Sequence, residues 1–139
     1  KMKMVVNAKA PCVDPEACKY VLEQYCEESG VQIILEETGM EDAIKNADIV
    51  ITGEGKLDAQ TAMGKAPIGV AKLAKKHGKK VLAFAGCIGE GAEACLEHGI
   101  DAYYAISPAA LPLKDALNPE IAYQNLKNTA YEALQQLYI

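Results

Sequence analysis

The chain has 139 residues, half of them hydrophobic and 24% charged, with a formal net charge of −5. That is the size and mix of one globular domain that buries its own core without staples. An acidic balance with no basic stripe excludes a nucleic-acid backbone as partner, and no apolar run reaches the eighteen residues of a membrane span.

One Phe and no Trp mean a core of Ala, Val, Ile and Leu, with Tyr at its margins. The five cysteines are odd in number and fit no zinc spacing. They read as buried thiols of a reducing cytoplasm, and no metal-ligating cluster is expected. The opening residues lack the apolar stretch of a signal peptide, so a cytoplasmic location is expected. A start at Lys1 rather than Met is read as a piece of a longer or processed chain.

In chain order, Lys1 to Val6 reads as a first strand. Asp14-Pro15-Glu16 reads as a helix start, with Asp as N-cap and Pro at the first helical position. Cys18, Val21, Leu22 and Tyr25 follow at helical spacing, and Gly30 is expected to end that helix. Val31 to Leu35 is a second strand. Thr38 and Glu41 have the spacing of a capping box for a short helix ending near Asn46.

Ile49-Val50-Ile51, flanked by turn formers, reads as a strand buried on both faces, ending at Thr52. A helix is expected from Pro67 to His77, a buried strand from Val81 to Ala85, and a glycine-containing turn from Gly86 to Gly91. A short helix from Glu93 to His98 and a strand from Ala102 to Ile106 follow. Asn118-Pro119-Glu120 caps a last helix with Ala122, Leu126, Ala130, Ala133, Leu134 and Leu137 inside.

Strands alternating with helices over short connections predict an α/β fold: a three-layer flavodoxin-like or Rossmann-like sandwich. About five mainly parallel strands with helices on both faces are expected, as a single domain over residues 1–139.

Ligands of such sheets bind beyond the carboxyl ends of the strands. The segment from Gly53 to Ala66 exceeds the usual two to six residues of an α/β connection, so it reads as a long functional loop. Three glycines there permit close backbone approach. Glu54, just after a buried strand, needs a partner or a metal. Lys56 and Lys65 are either ligand cations or solvated charges, and Asp58 and Thr61 either bind ligand or cap a local turn. In the second glycine-containing loop Cys87 sits at the expected helix start, with no His nearby in sequence to activate it. His77 and His98 read as helix-end cations.

The run Asp48-Ile49-Val50-Ile51-Thr52-Gly53-Glu54-Gly55-Lys56-Leu57-Asp58, then Gln60-Thr61 and Gly64-Lys65-Ala66-Pro67-Ile68-Gly69-Val70-Ala71, resembles the carboxy-terminal signature of bacterial glycerate kinases of the glycerate 2-kinase type. Similarity extends over Gly30 to Leu137, with residues 1–29 poorly matched. Where the family pattern has Arg after its G-E-G, this chain has Lys56, which keeps the charge and loses the bidentate fork. The resemblance implies ATP- and magnesium-dependent phosphorylation of glycerate to (2-)phosphoglycerate in the cytoplasm, by an enzyme with two α/β domains.

It further implies that the amino-terminal part, with its D-S-F-K-G segment, is a missing partner of this chain, which alone is expected to be weakly active or inactive. On this reading Glu54, Asp58 and Lys56 are catalytic. Gly53, Gly55, Gln60, Thr61, Gly64, Lys65 and Gly86 bind substrate or nucleotide. The competing reading is a stand-alone flavodoxin-like nucleotide-binding or interaction module without catalysis.

Overall fold

The structure, a computed structural model, describes residues 3–8, 13–25, 30–34, 39–108 and 111–137. In chain order the elements are β1 (Lys3–Ala8), α1 (Pro15–Tyr25), β2 (Gly30–Ile33), α2 (Met40–Lys45), β3 (Ile49–Leu57), α3 (Ala59–Ala62) and α4 (Ala66–Lys76). There follow β4 (Lys80–Ile88), a 3₁₀ helix (Ala92–His98), β5 (Ala102–Ala105), α5 (Leu113–Ala116) and α6 (Pro119–Leu137). The five strands form one parallel sheet in the order β2-β1-β3-β4-β5, which is the flavodoxin-like winding.

Alternation along each strand divides the core between two faces. On one, Met4, Val6, Ile51 and Phe84 pack against Leu22 of α1 and Leu126 and Ala130 of α6. On the other, Val5, Val50, Val81 and Ala83 meet Ile44 of α2, Ile68 and Ala71 of α4, and Cys95. Phe84 and Ile44 are completely buried; each such side chain contributes about 1.5–3 kcal/mol by leaving water. The expected helices on both faces are present.

The helix caps follow the sequence at both ends of the chain. Asp14 Oδ2 accepts from the Ala17 amide at 2.8 Å, and Asn118 Oδ1 accepts from the Glu120 and Ile121 amides at 3.0 and 3.3 Å. Both satisfy amides that a helix start leaves without partners.

Other expectations are corrected. Gly30 ends no helix; it is the first residue of β2, paired with Lys3. Gly39, at φ +80°, is the N-cap of α2, which has no side-chain cap. Glu41 is instead drawn across the molecule to His77 at 2.8 Å and Lys76 at 3.1 Å; Thr38 lies outside the described residues, as do Leu35 and the side chains of Tyr25 and Leu137.

The largest correction concerns the two loops. Gly53 to Ala66 is not one long connection: β3 runs on to Leu57, α3 follows at once, and α4 begins at Ala66. Nor is Gly86 to Gly91 all turn, because β4 continues to Ile88 and carries Gly86 and Cys87 inside the strand, so Cys87 is not at a helix start. The cause is mutual. Glu54 pairs with Ala85, Lys56 with Cys87 and Leu57 with Ile88, so each strand supplies the ladder partner that keeps the other extended.

β1 stops at Ala8, opposite Gly53, and β5 stops at Ala105, opposite Ala85. Beyond those pairs, Glu54–Leu57 of β3 and Gly86–Ile88 of β4 continue as a two-stranded ribbon past the other described strands. The short links Asp58 and Met63 to Lys65 replace the expected loop, within the usual connection length.

Candidate functional site

The ribbon carries the residues singled out in the sequence. Gly53, at its base, is a packing glycine. A Cβ there would lie 2.9 Å from Ala8 Cβ, 3.0 Å from the Phe84 carbonyl oxygen and 3.1 Å from Val13 Cγ1. Glu54 comes next and is partly buried. Its Oε2 accepts a hydrogen bond from Thr61 Oγ1 at 2.9 Å.

Thr61 is the hub. It is buried to 0% exposure, and its Oγ1 also accepts from the Asp58 amide at 3.2 Å. Asp58 in turn uses Oδ1 to accept from the Gln60 and Thr61 amides at 2.9 and 3.2 Å. Asp58 and Thr61 thus make a reciprocal capping box that starts α3. Of the two readings open in the sequence, local capping is the one these contacts realise; the same contacts bring both carboxylates to one hydroxyl.

The second glycine-containing segment closes against the first. The Gly89 amide donates to the Leu57 carbonyl at 2.7 Å, and the Ala59 amide to the Glu90 carbonyl at 3.0 Å. A Cβ at Gly89 would sit 2.6 Å from Lys56 Cε and 3.0 Å from Asp58 Cβ; at Gly91, with φ +79°, it would sit 2.6 Å from Ala59 Cβ. Only glycine allows this approach. Cys95, buried beneath, places its Sγ 3.8 Å from the Asp58 carbonyl. Burial first, then the negative charges of Glu54 and Asp58, push its thiol up.

Lys56 is exposed and has no acidic partner among the described residues, and Lys65, the N-cap of α4, is exposed too. Gln60 and Gly64 are exposed on and just after α3. Glu54, Asp58, Thr61 and Lys56 are therefore gathered at the carboxyl end of β3, with Gln60, Gly64 and Lys65 on the surface that follows. Gly55 and Gly86 lie instead beside an apolar groove.

That groove was not foreseen from the sequence. It has a volume of about 840 Å³, and its far wall is built by Ser107, Leu111, Leu113 and Leu117. The available signal was the apolar run Pro108 to Leu113, which fitted no predicted element. Cys87 is exposed in the groove. His77 and His98 stand apart, at the ends of α4 and of the 3₁₀ helix.

Among the described residues no group of three or more His, Cys, Asp or Glu side chains is arranged to hold a metal ion. None of their helices is long and apolar enough to cross a membrane.

Comparison with known proteins agrees with the motif. The glycerate kinase family model matches residues 18–138, opening ahead of the Gly30 boundary that the motifs suggested. The glycerate kinase of Bacillus subtilis (strain 168) is 46% identical over 101 residues, which is 73% of this chain and 26% of that protein. The glycerate 2-kinase of Escherichia coli (strain K12) is 38% identical over 98 residues, 70% of this chain and 25% of that protein. A solved structure from Salmonella typhimurium LT2, described as a candidate glycerate kinase 2, superposes with a TM-score of 0.52 at 32% identity. The superposition covers 85% of this chain and 29% of that one. The chain spans about a quarter of the length of these curated relatives. With a family match running over most of its residues, it belongs to the glycerate kinase family.

Proposed function

We propose that this chain supplies one wall of the active site of an ATP-dependent glycerate kinase that phosphorylates the 2-hydroxyl of glycerate in the cytoplasm. The observation that carries the reading is the Glu54–Thr61–Asp58 network at the carboxyl end of β3, beside a lysine with no acidic partner among the described residues. Phosphoryl transfer asks for positioned carboxylates and cations more than for covalent help.

Thr61 ties up Glu54 Oε2 and leaves Oε1 without a protein partner among the described residues. Glu54 then orients the attacking hydroxyl and accepts its proton. Asp58 uses Oδ1 on backbone amides and keeps Oδ2 for a ligand. Lys56 and Lys65 neutralise the glycerate carboxylate and phosphate oxygens, and Gly55 offers its amide at close range. Gln60 and Gly64 flank the bound ligand.

A magnesium ion that takes one or two carboxylates and fills its remaining positions with water and phosphate oxygens suits this sparse set better than a protein cage. Asp58, with Glu54 nearby, would hold it, and the ion would neutralise phosphate charge when bound. The opposing wall is assigned to the remaining length of the enzyme, so the 139 residues alone are expected to turn over weakly or not at all.

The test is mutational, in the intact enzyme that carries these residues. Glu54→Gln and Asp58→Asn should each lower kcat at least about 100-fold, the scale of a lost acid–base or charge-stabilising group. Unchanged turnover in both variants would remove the assignment.

A further inference from the structure

The groove beside the ribbon has a composition unlike that of the carboxylate network. Gly55 and Gly86, on adjacent strands, line it, and neither places a side chain in the space. A Cβ placed on Gly55 would meet nothing within 4 Å. Its walls are aliphatic, with Ile88 on one side and Leu111, Leu113 and Leu117 on the other. Leu113 is 73% exposed, an apolar surface left open to water.

Two polar features break this lining. Lys56 lines the groove, and its side chain reaches Gly89, against which Asp58 also packs. Ser107 Oγ is buried and has no hydrogen-bond partner among the described residues, a state that costs free energy unless a ligand completes it. An apolar slot with few polar groups and this volume falls in the range of small-molecule sites.

Resting on the nucleotide-dependent reading above, we propose that this groove holds the purine base of the nucleoside triphosphate. The base lies flat over Gly55 and Gly86 between Ile88 and Leu117, and Ser107 Oγ hydrogen-bonds its polar edge. Lys56 marks the end from which the phosphates run toward Glu54 and Asp58. A flat heteroaromatic ring suits two glycines side by side because both its faces can be covered at van der Waals distance. The anionic tail suits Lys56, the one cation among the described lining residues.

Cys87, exposed in the groove, provides a built-in reporter. The 139-residue chain is alkylated under native conditions, and modification at Cys87 is followed by peptide mass spectrometry, with adenosine, ATP or inorganic tripolyphosphate present. Adenosine and ATP should slow Cys87 alkylation at least about fivefold, and tripolyphosphate should not. Gly55→Val, which adds a side chain where a Cβ meets nothing within 4 Å, and Leu117→Glu should each abolish protection by adenosine.

Failure of adenosine and ATP to protect Cys87 overturns the placement of the base. If ATP and tripolyphosphate still raise the thermal stability of the chain in that case, and Lys56→Ala removes the rise, the nucleotide reading stands and only the base site is lost. If neither ligand stabilises the chain, both are lost. Protection by adenosine that survives Gly55→Val and Leu117→Glu places the base elsewhere and also refutes the proposal.

Discussion

Thr61→Val isolates the hydroxyl at the centre of the site. Valine keeps the shape of threonine, so no cavity opens. What is lost is the bond to Glu54 Oε2 at 2.9 Å and the bond from the Asp58 amide at 3.2 Å. A hydrogen bond to a charged group is worth about 1.5–3 kcal/mol and a neutral one about 0.5–1.5 kcal/mol. Glu54 is only partly buried and can turn toward water, so the lower end of the first range applies. The sum is about 2 kcal/mol of lost stability.

For a domain of this size that is a fall in Tm of about 5–8 °C. Urea unfolding should show a lower midpoint with an unchanged slope. Thr61→Ser, which keeps the hydroxyl and loses a buried methyl, should cost about 1 kcal/mol and so fall between the wild type and the valine variant. A Thr61→Val protein within about 0.5 kcal/mol of wild type would mean that water already satisfies the carboxylate, and the network would not be holding the site.

Gly53→Ala should cost about 1–3 kcal/mol by overpacking, since its new Cβ meets Ala8, Val13 and the Phe84 carbonyl. Gly55→Ala should be nearly silent in the same urea series, and equal losses at the two sites would contradict the packing described. Burial pushes the Cys18 thiol up to about 12, with the Asp14 charge adding to it. Cys18 should therefore resist alkylation at pH 8 while Cys87 reacts, and comparable rates at the two sites would refute the burial.

His77 and Lys76 hold the Glu41 carboxyl below its ordinary value of 4.5. The carboxylate form is favoured by folding, so the contribution is present above that value and is lost as pH falls through the lowered one. The stability gap between wild type and Glu41→Gln should shrink on acidification below pH 4.5, and a gap that widens instead would show the opposite sign of coupling.

The layers of the fold were legible because buried parallel strands and amphipathic helices write their periods locally. Ile49-Val50-Ile51 and the stripe from Ala122 to Leu134 could be read without knowing their neighbours. The site was legible as a list of residues, and its shape was not. Gly53-Glu54-Gly55-Lys56 has little strand propensity, so its extended form could not be deduced from that stretch alone; it depends on the pairing with Ala85 to Ile88, some thirty residues onward. The Glu41–His77 bond, 36 residues apart in the chain, was hidden for the same reason, and it displaced the capping box that local spacing suggested. The groove wall was missed because Pro108 to Leu113 carries apolar residues with no period.

The ribbon beyond the sheet has a consequence for how easily the site region opens. From Ile49 to Gly53, β3 is laddered on both edges, by β1 and by β4, whereas from Glu54 to Leu57 β4 is the one partner strand among the described elements. Backbone amides of the second stretch can exchange with solvent through a small local opening, while those of the first require the central sheet to part. Glu54 and Lys56, which the proposed function turns toward ligand, thus ride on a tip that can flex as a unit, anchored to a foundation that stays closed.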